Sequence, residues 1–485
     1  MNDSTRTVLL VLGVLLAALS VAKLVPAIVD LNSDAQSAHA FLGSAAVTGF
    51  VGVTLILMMR GGGRNLTARG AILVTGGSWA VLSVAAAVPL KLAVGDMSWT
   101  DALFEATSGM TTTGATVMTN LQDQPAGVLI WRSILQWIGG IGIIVTAMAI
   151  WPMLGIGGMQ LFRLENSDKS DKALPRAGQI AAAVGIIYLV LTFICFLAYI
   201  ATDMTPFDAA AHAMTTVATG GFSTHDGSIG AFTDGGSDIV ALVFMILSAL
   251  PFVLYLRAAQ GRPDRLWVDP QVRGFLAVAG AAIAVLTVWI LVHEPPASGQ
   301  LPAWRLASVN AISIMTGTGY ATADFGLWGG GAVGIFFCLM FIGGCAGSTT
   351  CSVKIFRYQI AAGAIGRHIE RQARPHVVRP VRYGGKALDP DAVRSVMSFF
   401  FIFFATWVVA AALLSLIGLD PVTAISGAAT SIANVGPGLG PIIGPAGTFK
   451  PLLDAAKWVM IVTMLIGRLE VFTMLLLLTP GFWRR

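Results

Sequence analysis

Four short stretches of the sequence share a turn of small or hydroxyl residues that ends in glycine. They are Thr112-Thr113-Gly114, Ala218-Thr219-Gly220, Gly317-Thr318-Gly319 and Asn434-Val435-Gly436. A dehydrated alkali cation needs oxygen atoms in place of its hydration shell, and rings of backbone carbonyls provide them. Glycine reaches the positive φ angles that aim successive carbonyls toward one axis. No carboxylate lies in any of the turns, so the pattern favours a monovalent cation over Ca²⁺.

A short segment with helix-start signals precedes these turns. Thr205-Pro206 and Asp420-Pro421 are typical of an N-cap followed by proline at the first helical position, and Thr100-Asp101 fits as well. Such a segment is too short to cross a bilayer, but it can enter one and turn back where the backbone lines a water-filled cavity. Its electronegative C-terminal end favours a cation at the turn. The alternative is that the glycines only allow close packing.

The composition places the chain in a membrane. Of its 485 residues, 55% are hydrophobic and 11% are charged, and the mean hydropathy is +0.77. A soluble protein carries about 25% charged residues, so this chain has too little polar surface to face water on all sides.

Apolar stretches long enough to cross a bilayer recur along the whole chain. A helical crossing needs about 20 residues. Ten spans are predicted, at 8–29, 40–59, 71–92, 129–154, 180–201, 239–256, 275–292, 333–342 with an extension, 399–417 and 458–478. The first is interpreted as a retained helix rather than a signal peptide, because its apolar run is long and Lys23 interrupts its tail.

The spans and turns together form a repeat. Each turn lies between an outgoing and an incoming span, so the four copies run in one direction, unlike the inverted repeats of many secondary transporters. The predicted fold is an all-α polytopic membrane protein with four parallel membrane–pore-helix–membrane repeats around a pseudo-fourfold pore. The predicted units are two N-terminal helices at residues 1–69 and repeats at 70–175, 176–270, 271–390 and 391–485.

Charged residues separate onto two sides of the membrane. Lysine and arginine fill alternate connections, most densely between Lys354 and Arg394, and the positive-inside rule assigns this side and both termini to the cytoplasm. The opposite connections are acidic and include Asp101, Glu105 and Asp208. These carboxylates either concentrate cations at an outer vestibule or are ordinary solvated charges. Because topology explains the basic residues, lipid is an expected partner and nucleic acid is not.

The span after the third turn is interrupted. The residues responsible are Gly343, Gly344, Cys345, Ala346, Gly347, Ser348, Thr349 and Thr350. Each glycine costs a helix about 1 kcal/mol relative to alanine, so a break is predicted. A phosphate-binding loop is excluded because the Gly-Lys-Ser/Thr ending is absent.

Arg468, Arg132 and Lys23 are basic residues inside predicted spans. Arg468 has Glu470 nearby, and a charge at this depth is usually functional or paired. The alternatives for Arg468 are a role in the ion path or a structural pair with Glu470 or backbone carbonyls. Arg132 is expected to extend to the outer membrane surface, and Lys23 is expected at an interface or packed in the bundle. The cysteines, Cys195, Cys338, Cys345 and Cys351, lack zinc-site spacing and are interpreted as packing thiols.

At these residues the chain resembles the Trk/Ktr/HKT superfamily of potassium transport proteins, and within it the bacterial Trk-type pore subunits. The resemblance covers essentially the whole chain. Family members have four repeats with one filter glycine each, corresponding to Gly114, Gly220, Gly319 and Gly436. The two additional N-terminal helices are typical of the Trk branch rather than the Ktr branch.

The resemblance also implies a gate and partners. In the family, the loop that corresponds to 343–350 obstructs the pore and moves for conduction, and the arginine that matches Arg468 faces the pore near it. Relatives commonly carry Gly-Gly just before the lysine, whereas Cys351, Ser352 and Val353 precede Lys354 here, which puts the flexibility of the loop in question. The resemblance further implies a homodimer and a cytosolic ring of dinucleotide-binding regulatory subunits (TrkA) docked on the basic loops.

The leading hypothesis is K⁺ (and Rb⁺) uptake across the bacterial inner membrane, with K⁺ as the transported ion and no bound cofactor. Glycine at all four filter positions resembles K⁺-selective members, since Na⁺-selective relatives often carry serine in the first filter. The alternatives are a Na⁺- or H⁺-coupled K⁺ cotransporter of the same fold and a carrier of organic solutes. A solute carrier would need a cluster of polar anchors that the sequence does not show, and no nucleophile–base arrangement indicates an enzyme.

Overall fold

Long apolar helices dominate the computed structural model, which describes residues 3–61, 67–149, 173–296, 301–377 and 379–484. Seven helical segments in these ranges are long and apolar enough to cross a membrane. They comprise Asp3–Ala22 continued by Leu24–Asp30, and then Ala35–Met59, Ala68–Ala93, Ala126–Ala149, Ala173–Ile200, Pro270–His293 and Pro390–Leu416. The chain is thus a multi-pass membrane protein.

Two further apolar segments are sharply bent. Ser237–Ala249 meets Phe252–Ala259 at 89°, and Asp454–Arg468 meets Val471–Leu477 at 117°. Counting each bent pair as one crossing gives up to nine crossings in the described residues, where ten were predicted. The span predicted at 333–342 is the helix Gly329–Met340, which at 12 residues is too short for the same criterion. The end of the span predicted at 129–154 lies outside the described residues.

Four short helices follow long ones at the positions predicted for re-entrant segments. They are Trp99–Met110, Pro206–Val217, Ala303–Thr316 and Pro421–Ala433. The predicted N-caps Thr205 and Asp420 are confirmed, since their side chains accept hydrogen bonds from the first turn of the helix. The first short helix begins earlier than predicted, because Ser98 rather than Thr100 is its cap.

The remaining elements are one helix of 19 residues, Ile355–Ala373, and several shorter ones. They are the helices Asp264–Val268, Ile355–Ala373, Gly440–Ile443 and Pro480–Trp483, the parallel strand pair Ile342–Gly343 and Val353–Lys354, and the antiparallel pair Arg382–Tyr383 and Lys386–Ala387. Single 3₁₀ turns occur at Leu121–Asp123, Ser228–Phe232 and Phe325–Leu327.

The short helices lie inside the protein and the long ones surround them. Nearly every residue in the second half of each short helix is buried. The long helices instead direct apolar side chains outward, as at Phe401 and Leu416, which are 76% and 83% exposed. Exposing so large an apolar surface to water is unfavourable, whereas contact with lipid chains is not.

Candidate functional site

All four short helices end in the same backbone motif. Near the end of each helix, one residue and the residue two positions later have positive φ, between 50° and 111°. The pairs are Thr112 and Gly114, Thr219 and Gly221, Gly317 and Gly319, and Asn434 and Gly436. The residue between them donates its N–H to the carbonyl five residues earlier. These bonds join Thr113 to Ser108, Gly220 to Thr215, Thr318 to Ser313 and Val435 to Thr430, at 2.8–3.1 Å. This is a Schellman-type ending, which satisfies helix carbonyls that would otherwise lack partners.

The backbone angles correct the sequence alignment of the second turn by one residue. Gly221 has a φ of 77°, whereas Gly220 is not among the residues with positive φ. The second turn is therefore Thr219-Gly220-Gly221, and Ala218 is the C-cap of the preceding helix. Because Gly220 and Gly221 are consecutive, the sequence is compatible with either glycine as the last residue of the turn. The middle positions of the four turns are thus Thr113, Gly220, Thr318 and Val435.

The last glycine of each turn lies against the next turn. A Cβ added to it would come within 2.8 Å of the middle carbonyl oxygen of the following turn. The distances are 2.2 Å from Gly114 to Gly220 O, 1.7 Å from Gly221 to Thr318 O, 2.3 Å from Gly319 to Val435 O and 2.8 Å from Gly436 to Thr113 O. No side chain fits at such distances, so each position requires glycine. The fourth contact returns to the first turn, and the four glycines and four carbonyl groups form a closed arrangement, called here the glycine–carbonyl ring.

The middle residues of the four turns are buried, three of the four terminal glycines are partly exposed, and the turns carry no charged side chain. Hydroxyl groups brace the ring, because Thr113 Oγ1 lies 2.7 Å from Thr111 Oγ1 and accepts a hydrogen bond from Asn434 Nδ2 at 2.9 Å. In the third turn Thr318 Oγ1 lies 2.7 Å from Thr316 Oγ1. Backbone carbonyls at the C-terminal ends of four helices can hold a dehydrated monovalent cation.

Arg132 supports the ring from a buried position. It is 1% exposed, and its Nε donates to Oε1 of the fully buried Glu105 at 2.8 Å. Its Nη1 donates to the carbonyl of Ser223 at 2.9 Å, and its guanidinium lies 4.0 Å from the ring centroid of Phe222. The expectation that Arg132 extends to the membrane surface is therefore wrong. Glu105, on the first short helix, supplies a partner that makes burial possible.

Lys23 is also buried. Its Nζ donates to Ser44 Oγ and Thr48 Oγ1, each at 2.7 Å, and to the carbonyl of Ala85 at 2.9 Å. It therefore packs within the bundle, one of its two predicted positions, and joins three helices.

Several acidic residues that the sequence assigned to outer loops have partners. Asp101 is paired with Lys457 at 2.6 Å, and Asp238 forms an ion pair with Arg305. Together with Glu105, these carboxylates hold short helices in place. They do not act as free charges of an outer vestibule.

The predicted break after the helix Gly329–Met340 is present. Residues 341–354 are not helical, and the strands that open and close the segment pair in parallel. We call residues 341–354 the inserted loop. Its backbone is tied to the bend between Ser237–Ala249 and Phe252–Ala259, since the N–H of Cys345 donates to Ala249 O at 3.0 Å and the N–H of Phe252 donates to Gly347 O at 2.9 Å. All eight residues predicted as a gate, 343–350, lie in the inserted loop.

Arg468 joins the inserted loop to the rest of the site. It is 3% exposed and donates to the carbonyls of Thr349 and Gly139 at 3.3 and 3.2 Å. Its Nη1 lies 2.6 Å from Cys351 Sγ, which in turn lies 3.5 Å from Thr112 Oγ1 in the first turn. Of the two structural partners considered for Arg468, the backbone carbonyls are therefore the ones it contacts. Glu470 is instead ion-paired with Arg357, at 2.6 Å.

A cavity of about 30 Å³ lies beside the inserted loop, which supplies much of its lining. Its lining includes Asn434 of the fourth turn and four charged residues. The charged residues are Lys354, Arg357, Arg468 and Glu470. Asn434 Oδ1 and Arg468 Nε have no hydrogen-bond partner in the part of the chain that the structure describes. A cation in this cavity would meet three positive charges and one negative charge.

Three residues at the site were not predicted from the sequence. Gln136 bonds to the second turn, Gly221 belongs to the ring, and Cys351 contacts both Arg468 and Thr112. A glutamine within an apolar span was a usable signal for Gln136, because buried polar groups need partners. The contacts of Cys351 depend on how the inserted loop folds back, which composition does not reveal.

Known proteins share this architecture. A family model for TrkH, described as cation transport protein, matches residues 38–482. The Trk system potassium uptake protein TrkI of Halomonas elongata is 46% identical over 84% of this chain and 82% of its own length. The Trk system potassium uptake protein TrkH of Vibrio parahaemolyticus is 39% identical over 99% of both chains.

A crystal structure of the potassium transporter TrkH from Vibrio parahaemolyticus matches the fold with a TM-score of 0.90 and 37% identity, over 99% of this chain and 100% of that one. The family model and the full-length relatives thus agree on the family, and the solved structure matches the overall fold. The chain belongs to the TrkH family of cation transport proteins.

Proposed function

We propose that this protein carries K⁺ into a bacterial cell through the glycine–carbonyl ring. The observation that carries the proposal is the closure of the ring, in which each terminal glycine meets a carbonyl of the next turn. Carbonyl oxygens replace the hydration shell of K⁺ during passage. The names of the relatives, potassium uptake proteins of Trk systems, support K⁺ as the cation.

The chemistry of the ring suits conduction better than tight binding. Its oxygens are neutral and its turns contain no carboxylate, so an ion can enter and leave again. K⁺ moves down its electrochemical gradient, to which the membrane potential contributes about 2.3 kcal/mol per charge per 100 mV. No separate energy source is needed for uptake.

The proposed architecture places the ring at the centre of four repeats, 70–175, 176–270, 271–390 and 391–485, which follow two additional helices. It contains ten membrane crossings, with the short helix Gly329–Met340 and its continuation as one of them. Both termini and the exposed arginines after residue 366 lie in the cytoplasm, as the positive-inside rule requires. The membrane is the bacterial inner membrane.

The inserted loop and Arg468 form the gate in this proposal. The loop lies across a cavity next to the ring, and Arg468 contributes a positive charge there. A positive charge beside the path opposes a permeating cation. Conduction therefore requires the loop and the Arg468 side chain to move together, since Arg468 contacts both Thr349 and Cys351 of the loop.

Control of the gate comes from cytosolic partners. A homodimer of this chain docks a ring of dinucleotide-binding regulatory subunits of the TrkA type on its basic surface. Exposed arginines form this basic surface; they are Arg367, Arg371, Arg374, Arg379 and Arg382. Reversing the charge at Arg367, Arg371 and Arg374 is expected to abolish co-purification of the regulatory subunit, and reversing the exposed Arg262 is not. Unchanged co-purification of the triple variant would contradict this docking site.

The main test is uptake of radioactive Rb⁺ into proteoliposomes that contain the purified chain, with K⁺ or Na⁺ as competitor. We expect K⁺ to suppress the uptake far more strongly than Na⁺. Gly114→Ser should remove this difference, because a side chain at Gly114 clashes with Gly220 O. Equal suppression by both ions in the native protein would reject a K⁺-selective ring. Uptake that requires an inward Na⁺ or H⁺ gradient would favour the cotransporter.

A further inference from the structure

The side chain of Gln136 holds one of the four ring carbonyls. It lies on the helix Ala126–Ala149 and is fully buried. Its Nε2 donates to the carbonyl oxygen of Gly220 at 2.6 Å, and its Oε1 accepts from the N–H of Phe222 at 3.0 Å. The two ends of one carboxamide thus fix the backbone on both sides of Gly221.

The second turn needs this support because its middle residue has no side chain. In the first and third turns the middle residues are Thr113 and Thr318, whose hydroxyl groups bond to neighbouring threonines. At Gly220 an added Cβ would lie only 2.4 Å from Cδ of Gln136. The carboxamide therefore occupies the space that a middle side chain fills in those turns.

The Gly220 carbonyl also differs from the other ring carbonyls in its hydrogen bonding. Among the residues that the structure describes, no donor reaches the carbonyl oxygen of Thr113, Thr318 or Val435. A carbonyl oxygen has two lone pairs, so Gly220 can accept from Gln136 and still face an ion. Without Gln136, two consecutive glycines would leave this part of the ring with the widest choice of backbone angles.

We propose that Gln136 is a positioning residue that fixes the direction of the Gly220 carbonyl and thereby the preference of the ring for K⁺ over Na⁺. The inference rests on the proposed function of the ring. Oxygens held at a fixed spacing replace the hydration shell of K⁺ well, whereas a carbonyl that is free to shift also follows the smaller Na⁺. Gln136 acts through Gly220.

The test separates ion preference from transport rate. Rb⁺ uptake into proteoliposomes is competed with K⁺ or Na⁺ for the native protein, Gln136→Met and the control Ser133→Ala. Methionine keeps the length of the side chain and loses both hydrogen bonds. We expect the ratio of inhibitory Na⁺ to K⁺ concentrations to fall by about tenfold, or about 1.4 kcal/mol. Ser133 lies on the same helix, and within the described residues its hydroxyl bonds only to Leu129 O, at 3.2 Å, so Ser133→Ala should keep the native ratio.

If Gln136→Met abolishes uptake, a second variant and a second measurement still test the inference. Gln136→Leu also lacks both hydrogen bonds but has a different shape, so a packing defect would affect the two variants differently. In detergent, an ion that binds the folded state raises the melting temperature according to its affinity. Both variants should lose the difference between K⁺ and Na⁺ in this assay.

Three results would overturn the inference. One is an unchanged ion ratio at the native uptake rate in either variant, and another is a lower uptake rate with an unchanged ratio, which indicates a merely structural role. The third is a native protein that does not distinguish K⁺ from Na⁺, in which case the proposed function of the ring fails as well.

Discussion

The glycine–carbonyl ring and the inserted loop are both non-helical backbone inside a membrane protein, but they are held in different ways. The ring repeats one helix ending four times, and at its terminal glycines any added Cβ would overlap a carbonyl oxygen. The inserted loop occurs once. Its Gly347 also has positive φ, of 75°, yet no atom lies within 4 Å of the position of an added Cβ.

Polar side chains are bonded within both regions. The hydroxyl groups of Thr113 and Thr318 bond to neighbouring threonines, and those of Ser348 and Thr349 bond within the loop or to Ser248 O. Among the described residues, polar atoms without a partner line the cavity beside the loop, namely Asn434 Oδ1, Arg468 Nε and Glu470 Oε2. A buried polar atom without a partner costs about 1–3 kcal/mol, and a rearrangement that supplies one is favoured. The ring is therefore held in one geometry by contacts at all four terminal glycines, whereas the loop is tightly packed at Gly343 but has open space at Gly347, and the unpartnered cavity atoms favour a change there.

The largest expected effect comes from Gly221→Ala. The new methyl group would lie 1.7 Å from Thr318 O at a positive φ, so the ring cannot accommodate it without moving. Rb⁺ uptake should fall by more than about tenfold, equivalent to at least about 1.4 kcal/mol. The matched control is Gly347→Ala, which has similar backbone strain, about 1–2 kcal/mol, but open space. Normal uptake by Gly221→Ala would show that the ring does not limit conduction.

The next effect is on stability. Glu105→Gln removes the charge that pairs with the buried Arg132, and breaking a buried ion pair costs about 3–5 kcal/mol. The melting temperature in detergent should fall clearly, while the exposed control Glu294→Gln should leave it unchanged. Equal melting temperatures for the two variants would mean that Thr116, Ser223 and Phe222 hold Arg132 without the charge of Glu105.

A smaller effect of opposite sign is expected at the loop. Arg468→Gln removes a positive charge beside the ring, so Rb⁺ uptake without a regulatory subunit should rise by about threefold to tenfold, or about 0.7–1.4 kcal/mol. Arg262→Gln, in an exposed loop, should leave the rate unchanged. A lower rate for Arg468→Gln would show that the arginine stabilises the conducting state.

The smallest effect is expected for Cys351→Ser. The thiol contacts both Arg468 and Thr112, and the shorter hydroxyl should loosen these contacts without removing a charge. Uptake should rise in the same direction as for Arg468→Gln, by less than about threefold, or about 0.7 kcal/mol. The control is Cys338→Ser at an exposed cysteine. A change at Cys351 larger than that at Arg468 would make the thiol itself the main restraint.

The sequence predicted much of the fold because local signals agree with it. Apolar runs located most long helices, the Thr205 and Asp420 caps located two short helices, and the glycines of 343–350 located the break. The bends within two spans were not predicted. Both bends adjoin the inserted loop, through the bond from Phe252 N–H to Gly347 O at the first and the bond from Arg468 to Thr349 O at the second.

The site was predicted less completely, and the reason is contact over long sequence distances. Whether Gly220 or Gly221 ends the second turn is decided by Thr318, nearly a hundred residues later. Arg132 was misplaced because its partner Glu105 lies on another helix. An arginine near the end of a span is expected at the membrane surface, but the ion pair with Glu105 allows Arg132 to be buried.

The most direct test of the ring is to locate the ion in it. Crystals grown in Rb⁺ would reveal the ion by anomalous X-ray scattering, and crystals grown in Na⁺ serve as the control. We expect a peak within coordination distance of the carbonyl oxygens of Thr113, Gly220, Thr318 and Val435. A ring without a peak, or a peak only in the cavity beside Arg468, would contradict the assignment of these turns as the filter.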